Sequence, residues 1–167
     1  MDTADLSKSR EEVLTALREA GDRVVETDRS LPPERFDEVR HSDSEWTGKE
    51  ILAHIASVEW TYPKLLDLAR MPAPEGGGPR KAEFRTGIDD YNARQVAKRQ
   101  EATIEELLEE FGRNREATIA AVESADPELL QQEVTNATGH TGPALEVFHL
   151  VGVTHVLDHL EEIAGPG

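Results

Sequence analysis

The chain contains no cysteine. Disulfides, thiolate metal ligands and a protein-borne thiol nucleophile are therefore excluded, and a bound metal would take only nitrogen and oxygen ligands. Basic residues are few. Eighteen Lys and Arg stand against 34 Asp and Glu, a formal net charge of −16. Such a chain repels phosphate backbones and anionic lipid surfaces, which sets aside nucleic acid and membrane partners. Long apolar runs are missing too. No stretch approaches the roughly 18 apolar residues of a membrane span. The opening MDTADLSKSREEV has acids where a secretory signal would carry a basic and then an apolar segment. A cytoplasmic location is the expectation.

What remains is helical patterning. The 167 residues suit one domain spanning 1–167, and no run with the period of two expected of strands stands out. Leu6, Val13, Leu14, Leu17, Val24 and Val25 share one face of a first helix from Leu6 to Arg29. Leu31-Pro32-Pro33 ends it, because proline cannot continue the hydrogen-bond ladder. A second helix starts at Thr47-Gly48-Lys49-Glu50, a capping box, with Trp46 and Ile51 placed as a hydrophobic staple. Its buried stripe is Ile51, Ile55, Val58, Tyr62 and Leu65, and Pro63 is expected to kink it rather than end it. Residues 71–82 are a Pro- and Gly-rich loop, the longest connection, suited to a crossover or a lid. A third segment runs from Ile88 to Ser124. It is long enough to predict a break near residue 101, just before a second capping box at Thr103-Ile104-Glu105-Glu106. The fourth runs from Pro143 to Ala164, with Gly165 as its stop. Four such helices predict an all-α four-helix bundle with a long connection between helices 2 and 3.

The chemistry-bearing residues are the six histidines. His155 and His159 are four apart. At about 100° per residue their rings leave the helix in nearly the same direction and can reach one point. His54 lies in an apolar setting, Ile51-Leu52-Ala53-His54-Ile55-Ala56, about 60° from the centre of its helix's buried stripe. Singly, each reads as a structural histidine. Together, two from one helix and one from another could form a three-histidine divalent-metal site with open positions. His149 is expected in the core or just outside the metal ligands, and His41 and His140 in solvated loops. Glu59 and Asp158 are acidic neighbours in sequence but point away from the site, so neither carries a catalytic role.

Two blocks, Trp46-Thr47-Gly48-Lys49-Glu50-Ile51-Leu52-Ala53-His54-Ile55 and Thr154-His155-Val156-Leu157-Asp158-His159-Leu160, resemble the second and last helices of the DinB-like superfamily of YfiT-like metal-binding bundles. Asp89-Asp90-Tyr91-Asn92-Ala93-Arg94 and Glu105-Glu106-Leu107-Leu108 resemble the third helix of its mycothiol-dependent branch, the N-terminal domain of maleylpyruvate isomerase. That resemblance implies His54, His155 and His159 as ligands to a divalent metal, zinc or nickel, often in a homodimer. It further implies a small-molecule substrate, with mycothiol or bacillithiol as co-substrate of a thiol S-transferase. The isomerases carry an additional C-terminal domain, and the chain ends at Gly167, which counts against isomerase activity. Two other readings stand beside transfer. One is hydrolysis by a metal-activated water at the same site; the other is a non-catalytic protective protein that binds a small molecule in stress.

Overall fold

The structure, a computed structural model, describes residues 3–41, 45–83 and 87–165, the side chains of 3–8 and of 41 excepted. The Leu6 end of the first stripe and the ring of His41 thus lie outside the described side chains.

Helix α1, Thr3–Ser30, buries Val13, Leu14, Leu17, Ala20 and Val24 along one stripe. Pro32 and Pro33 then turn the chain through a 3-10 turn, Pro33–Phe36. Helix α2, Gly48–Glu59, starts on the complete Thr47–Glu50 capping box. Nine of its twelve residues are buried, which marks it as the central helix, and it packs against α5, α4 and α8. Pro63 does more than kink it. The chain leaves α2 through a tight turn in which Thr61 and Tyr62 donate to Val58 and Glu59 three residues back. It resumes as a separate helix, α3, Lys64–Arg70. Proline has no N–H to offer the Glu59 carbonyl, so the tighter bonding replaces an α-turn there.

The third segment is two helices, α4 at Ile88–Lys98 and α5 at Ile104–Ser124, broken where expected and with the Thr103–Glu106 capping box in place. Arg99 holds the corner by a two-pronged bond to Glu110, Nε–Oε1 2.8 Å and Nη2–Oε2 2.7 Å. A short α6, Pro127–Leu130, follows. The last segment is continuous but not uniform. Helix α7, Ala144–His149, passes through a π-helical turn, Leu150–Thr154, into α8, His155–Ala164. In that turn the His155 N–H donates to the Leu150 carbonyl five residues back.

Strands are present, contrary to the reading of the pattern. β1 (Val39–His41) pairs antiparallel with β2 (Trp46–Thr47). β3 (Arg80–Lys81), from the end of the long connection, runs parallel to β4 (Glu133–Thr135), which pairs antiparallel with β5 (Thr141–Pro143). At two or three residues each, they are too short to show a period of two.

The core has two apolar layers. One holds Leu14, Leu17, Tyr62, Leu66, Leu130 and Phe148; the other holds Val24, Ile51, Ile55, Phe111, Leu160 and Ile163. Between them, on every long helix, lies a polar residue or a glycine: Gly21 on α1, Glu59 on α2, Arg115 on α5 and Gly152 in the π-turn. Arg115 and Glu59 form a buried two-pronged ion pair at 2.8 and 2.9 Å. The same guanidinium donates to the Leu17 carbonyl at 2.9 Å and the Gly152 carbonyl at 2.7 Å. One side chain thereby ties all four long helical segments together.

Two glycines let the helices approach closely around it, Gly152 against Leu17 and Gly21 against Arg115 itself. A Cβ on Gly152 would stand 2.5 Å from Leu17 Cδ2, and one on Gly21 would stand 3.3 Å from Arg115 Cγ. Gly152→Ala is accordingly expected to lower stability by about 1–3 kcal/mol, the usual cost of overpacking, as a drop in the urea midpoint at unchanged slope.

Candidate metal centre

A cleft of about 1270 Å³ opens beside the bundle. Its walls come from α2, α3, the long connection, the start of α4, the β4–β5 hairpin and the helix from the π-turn onward. His54, His155 and His159 all line it.

The capping box fixes the start of α2, and His54 follows within its second turn, where it is buried. The Trp46 ring lies 5.2 Å and the His159 ring 5.0 Å from it, centre to centre. His159 Nδ1 is bonded to Glu162 Oε1 at 3.1 Å, one turn on along α8. A carboxylate on Nδ1 sets the ring's orientation and leaves metal binding to Nε2, the arrangement that orients histidine ligands in metal sites. Glu162 was not picked out from the sequence, although its i,i+3 spacing from His159 was the available signal.

His155 is half-buried and lies against a different partner. Its ring meets that of His140 edge-on at 5.6 Å. Burial, followed by the neighbouring His140 and His159, lowers its pKa, while Asp158 acts the other way. The neutral ring, the form that binds metals, is favoured.

His140 was expected to be simply solvated. It is exposed, but a braced loop aims it. Buried Asn136 accepts three bonds through Oδ1, from the Thr138 N–H, the Thr138 hydroxyl and the His140 N–H. Gly139 takes φ +94°, which only glycine adopts without strain. No spacing rule could have joined residues 140 and 155, because the hairpin brings them together in space.

Two other expectations change. His149 is exposed, not core. It ends α7, and the wide π-turn separates it from His155, while Val147 and Phe148 take the buried positions. Glu59 is indeed no cleft residue, yet it is wholly buried in the Arg115 pair. Burial raises its pKa, and Arg115 and Thr118 pull it back down. Asp158 is exposed.

As the side chains stand, no three of the described His, Asp or Glu residues are gathered closely enough to hold an ion. The structure brings His54 and His159 together and places His155 on the same cleft beside His140. The donor chemistry fits a divalent metal: three imidazoles face one cavity, one fixed by a carboxylate and one kept neutral.

Bundle and cleft together define a helical protein of the DinB-like kind. The DinB superfamily model matches residues 16–163, and the chain belongs to that superfamily. Among solved structures, the mycothiol-dependent maleylpyruvate isomerase is similar with a TM-score of 0.71 and 18% identity, over 92% of this chain and 60% of the isomerase. A histidine-to-alanine mutant of the isomerase gives a TM-score of 0.67 at 18% identity, over 89% of this chain and 60% of the mutant's. YfiT from Bacillus subtilis, described as a probable metal-dependent hydrolase with an unusual four-helix bundle topology, gives 0.70 at 11% identity, over 98% of this chain and 86% of its own. At these identities the likenesses show the fold. The chain spans about 60% of the isomerase's length. No curated protein sequence matches it. Among the described residues no helix is long and apolar enough to cross a membrane.

Proposed function

We propose that the protein is a metal-dependent enzyme acting on a small molecule, with His54, His155 and His159 as ligands and thiol S-transfer as its reaction. The supporting observation is that three imidazoles from two helical segments line one cleft and Glu162 orients one of them. His155, at the cleft wall, would turn from His140 to join the other two. A divalent zinc or nickel ion there would lower the pKa of a bound thiol, such as mycothiol or bacillithiol, so that it attacks at neutral pH. The chain's own share is to favour the neutral form of His155, to fix the His159 tautomer, and to line the cleft beside the site with apolar walls. Because the chain has no cysteine, a thiol would come from outside. Hydrolysis on the same site is the second reading, since the likeness to YfiT runs over 86% of that protein.

Metal content after loading and dialysis tests the centre. His155→Ala and His159→Ala are expected to lose most bound metal. Glu162→Gln should weaken affinity about 10–100-fold, the usual cost of losing a ligand's orienting partner. Full metal content in His155→Ala would refute the site. Turnover that needs an added low-molecular-weight thiol marks transfer, and turnover without one marks hydrolysis.

A further inference from the structure

The cleft is larger and more apolar than three imidazoles and a small polar molecule require. Its volume of about 1270 Å³ exceeds the roughly 300–1000 Å³ that ordinary small-molecule sites span. Below the mouth it is walled by Ile55, Val58, Tyr62, Leu65, Val151 and Val156. At the mouth stand Trp60, 56% exposed, and Met71, 55% exposed, two of only three large apolar side chains left in solvent among the described residues. Leu68, Pro72 and Pro74 extend this rim. Exposed apolar groups scattered singly need no explanation, but several of them bordering a cavity mark a binding surface.

The charge at the mouth has the opposite sign to the molecule. Lys64, Arg80 and Lys81 line the cleft, and none of them is ion-paired to a carboxylate among the described residues. Lys64 Nζ sits 4.0 Å above the centre of the Trp60 ring. Arg80 donates to the Met71 carbonyl and, at 3.4 Å, to Gln132 Oε1, neutral acceptors that leave its charge uncompensated. Of the acids on the same lining, Asp67 is paired with Arg70 at 3.0 Å, which leaves Glu83. In a chain of net charge −16, three cations against the one free carboxylate of Glu83, beside an apolar rim, favour a ligand that is both apolar and negative.

We propose that this cleft selects an amphipathic anion: an alkyl chain or aromatic ring system lying along the Trp60–Met71 wall, with a carboxylate or similar group held at the mouth by Lys64, Arg80 and Lys81. It rests on the metal-centre reading only in taking this cleft as the active site. A small, wholly polar dicarboxylate would leave the apolar walls wet.

Calorimetric titration of the full chain tests this with dodecanoate, dodecyltrimethylammonium and succinate as probes. Dodecanoate is expected to bind about ten-fold or more tighter than either of the others, because the first matches both wall and charge and each of the others matches only one. Trp60→Ala should weaken dodecanoate about ten-fold. Lys81→Glu should weaken dodecanoate but not neutral dodecanol. Both side chains are exposed, so neither change threatens the fold. Equal or tighter binding of succinate or the cationic detergent, or unaltered dodecanoate binding in Trp60→Ala, would overturn the proposal. Metal measured on the same samples separates it from the reading above. Dodecanoate binding retained in metal-depleted His155→Ala supports the wall and rim even if the metal centre fails. Its loss there would mean that the ion, not the basic rim, holds the head group, and would defeat the proposal.

Discussion

Arg115→Ala is expected to destabilise the fold by about 3–5 kcal/mol, the usual cost of removing one partner of a buried ion pair. Three buried acceptors lose their donor at once: the Glu59 carboxylate and the carbonyls of Leu17 and Gly152. Glu59 is wholly buried and would be left either charged in an apolar layer or protonated. Urea unfolding followed by circular dichroism measures the loss. Arg115→Lys should fall between, since a single ammonium cannot reproduce the planar fork. The combination of Glu59→Gln with Arg115→Met should be more stable than Arg115→Met alone, because it removes the stranded charge. Stability of Arg115→Ala within about 1 kcal/mol of the parent, the scale of an ordinary surface salt bridge, would show that the clamp carries no such weight.

The second large effect is expected at Asp28. This residue follows Val24 by four along the buried stripe of α1, only 2% exposed, and neither carboxylate oxygen has a hydrogen-bond partner. Burial pushes its pKa from the ordinary 3.8 up to about 7. The sign follows by linkage. Below about pH 4 the group is protonated both folded and unfolded and costs nothing. Between about pH 4 and pH 7 the unfolded chain has released the proton and the folded chain keeps it, so stability falls by about 1.4 kcal/mol per pH unit, reaching about 4 kcal/mol. Above pH 7 the cost is constant. Most carboxylates in folded proteins act in the opposite direction, so the comparison must be made against Asp28→Asn. The stability of that variant relative to the parent should rise by about 4 kcal/mol from about pH 4 to about pH 8. A difference that stays flat across that range would refute the assignment.

Both residues were invisible to pattern reading, for related reasons. Hydrophobic periodicity finds a helix's buried face from its apolar residues and takes the polar ones as solvent-facing. Asp28 occupies a buried position with a side chain the pattern assigns outside. Glu59 and Arg115 lie 56 residues apart, and only the packed bundle makes either burial acceptable. The π-turn was hidden because Leu150, Val151 and Val153 are apolar whichever turn they adopt. By contrast, the capping boxes at Thr47 and Thr103, the break between α4 and α5 and the Pro- and Gly-rich connection were legible, since each rests on local chemistry. The metal-ligand candidates were half legible. The His155–His159 spacing and the apolar setting of His54 led to the cleft, whereas the loop that brings His140 against His155 depends on Asn136 and Gly139 and on the pairing of β4 with β5.

The π-turn gives the last helix a phase it would not otherwise have. Each residue added to or removed from a helix rotates everything beyond it by about 100°. The wide turn takes up one extra residue, so winding the same residues as an ordinary α-helix would swing His155 and His159 together by about 100°, whereas excising one residue between Leu150 and Thr154 would restore ordinary winding with both rings still facing the cleft. A lineage could thus gain or lose the wide turn by one codon's insertion or deletion while both imidazoles kept their aim.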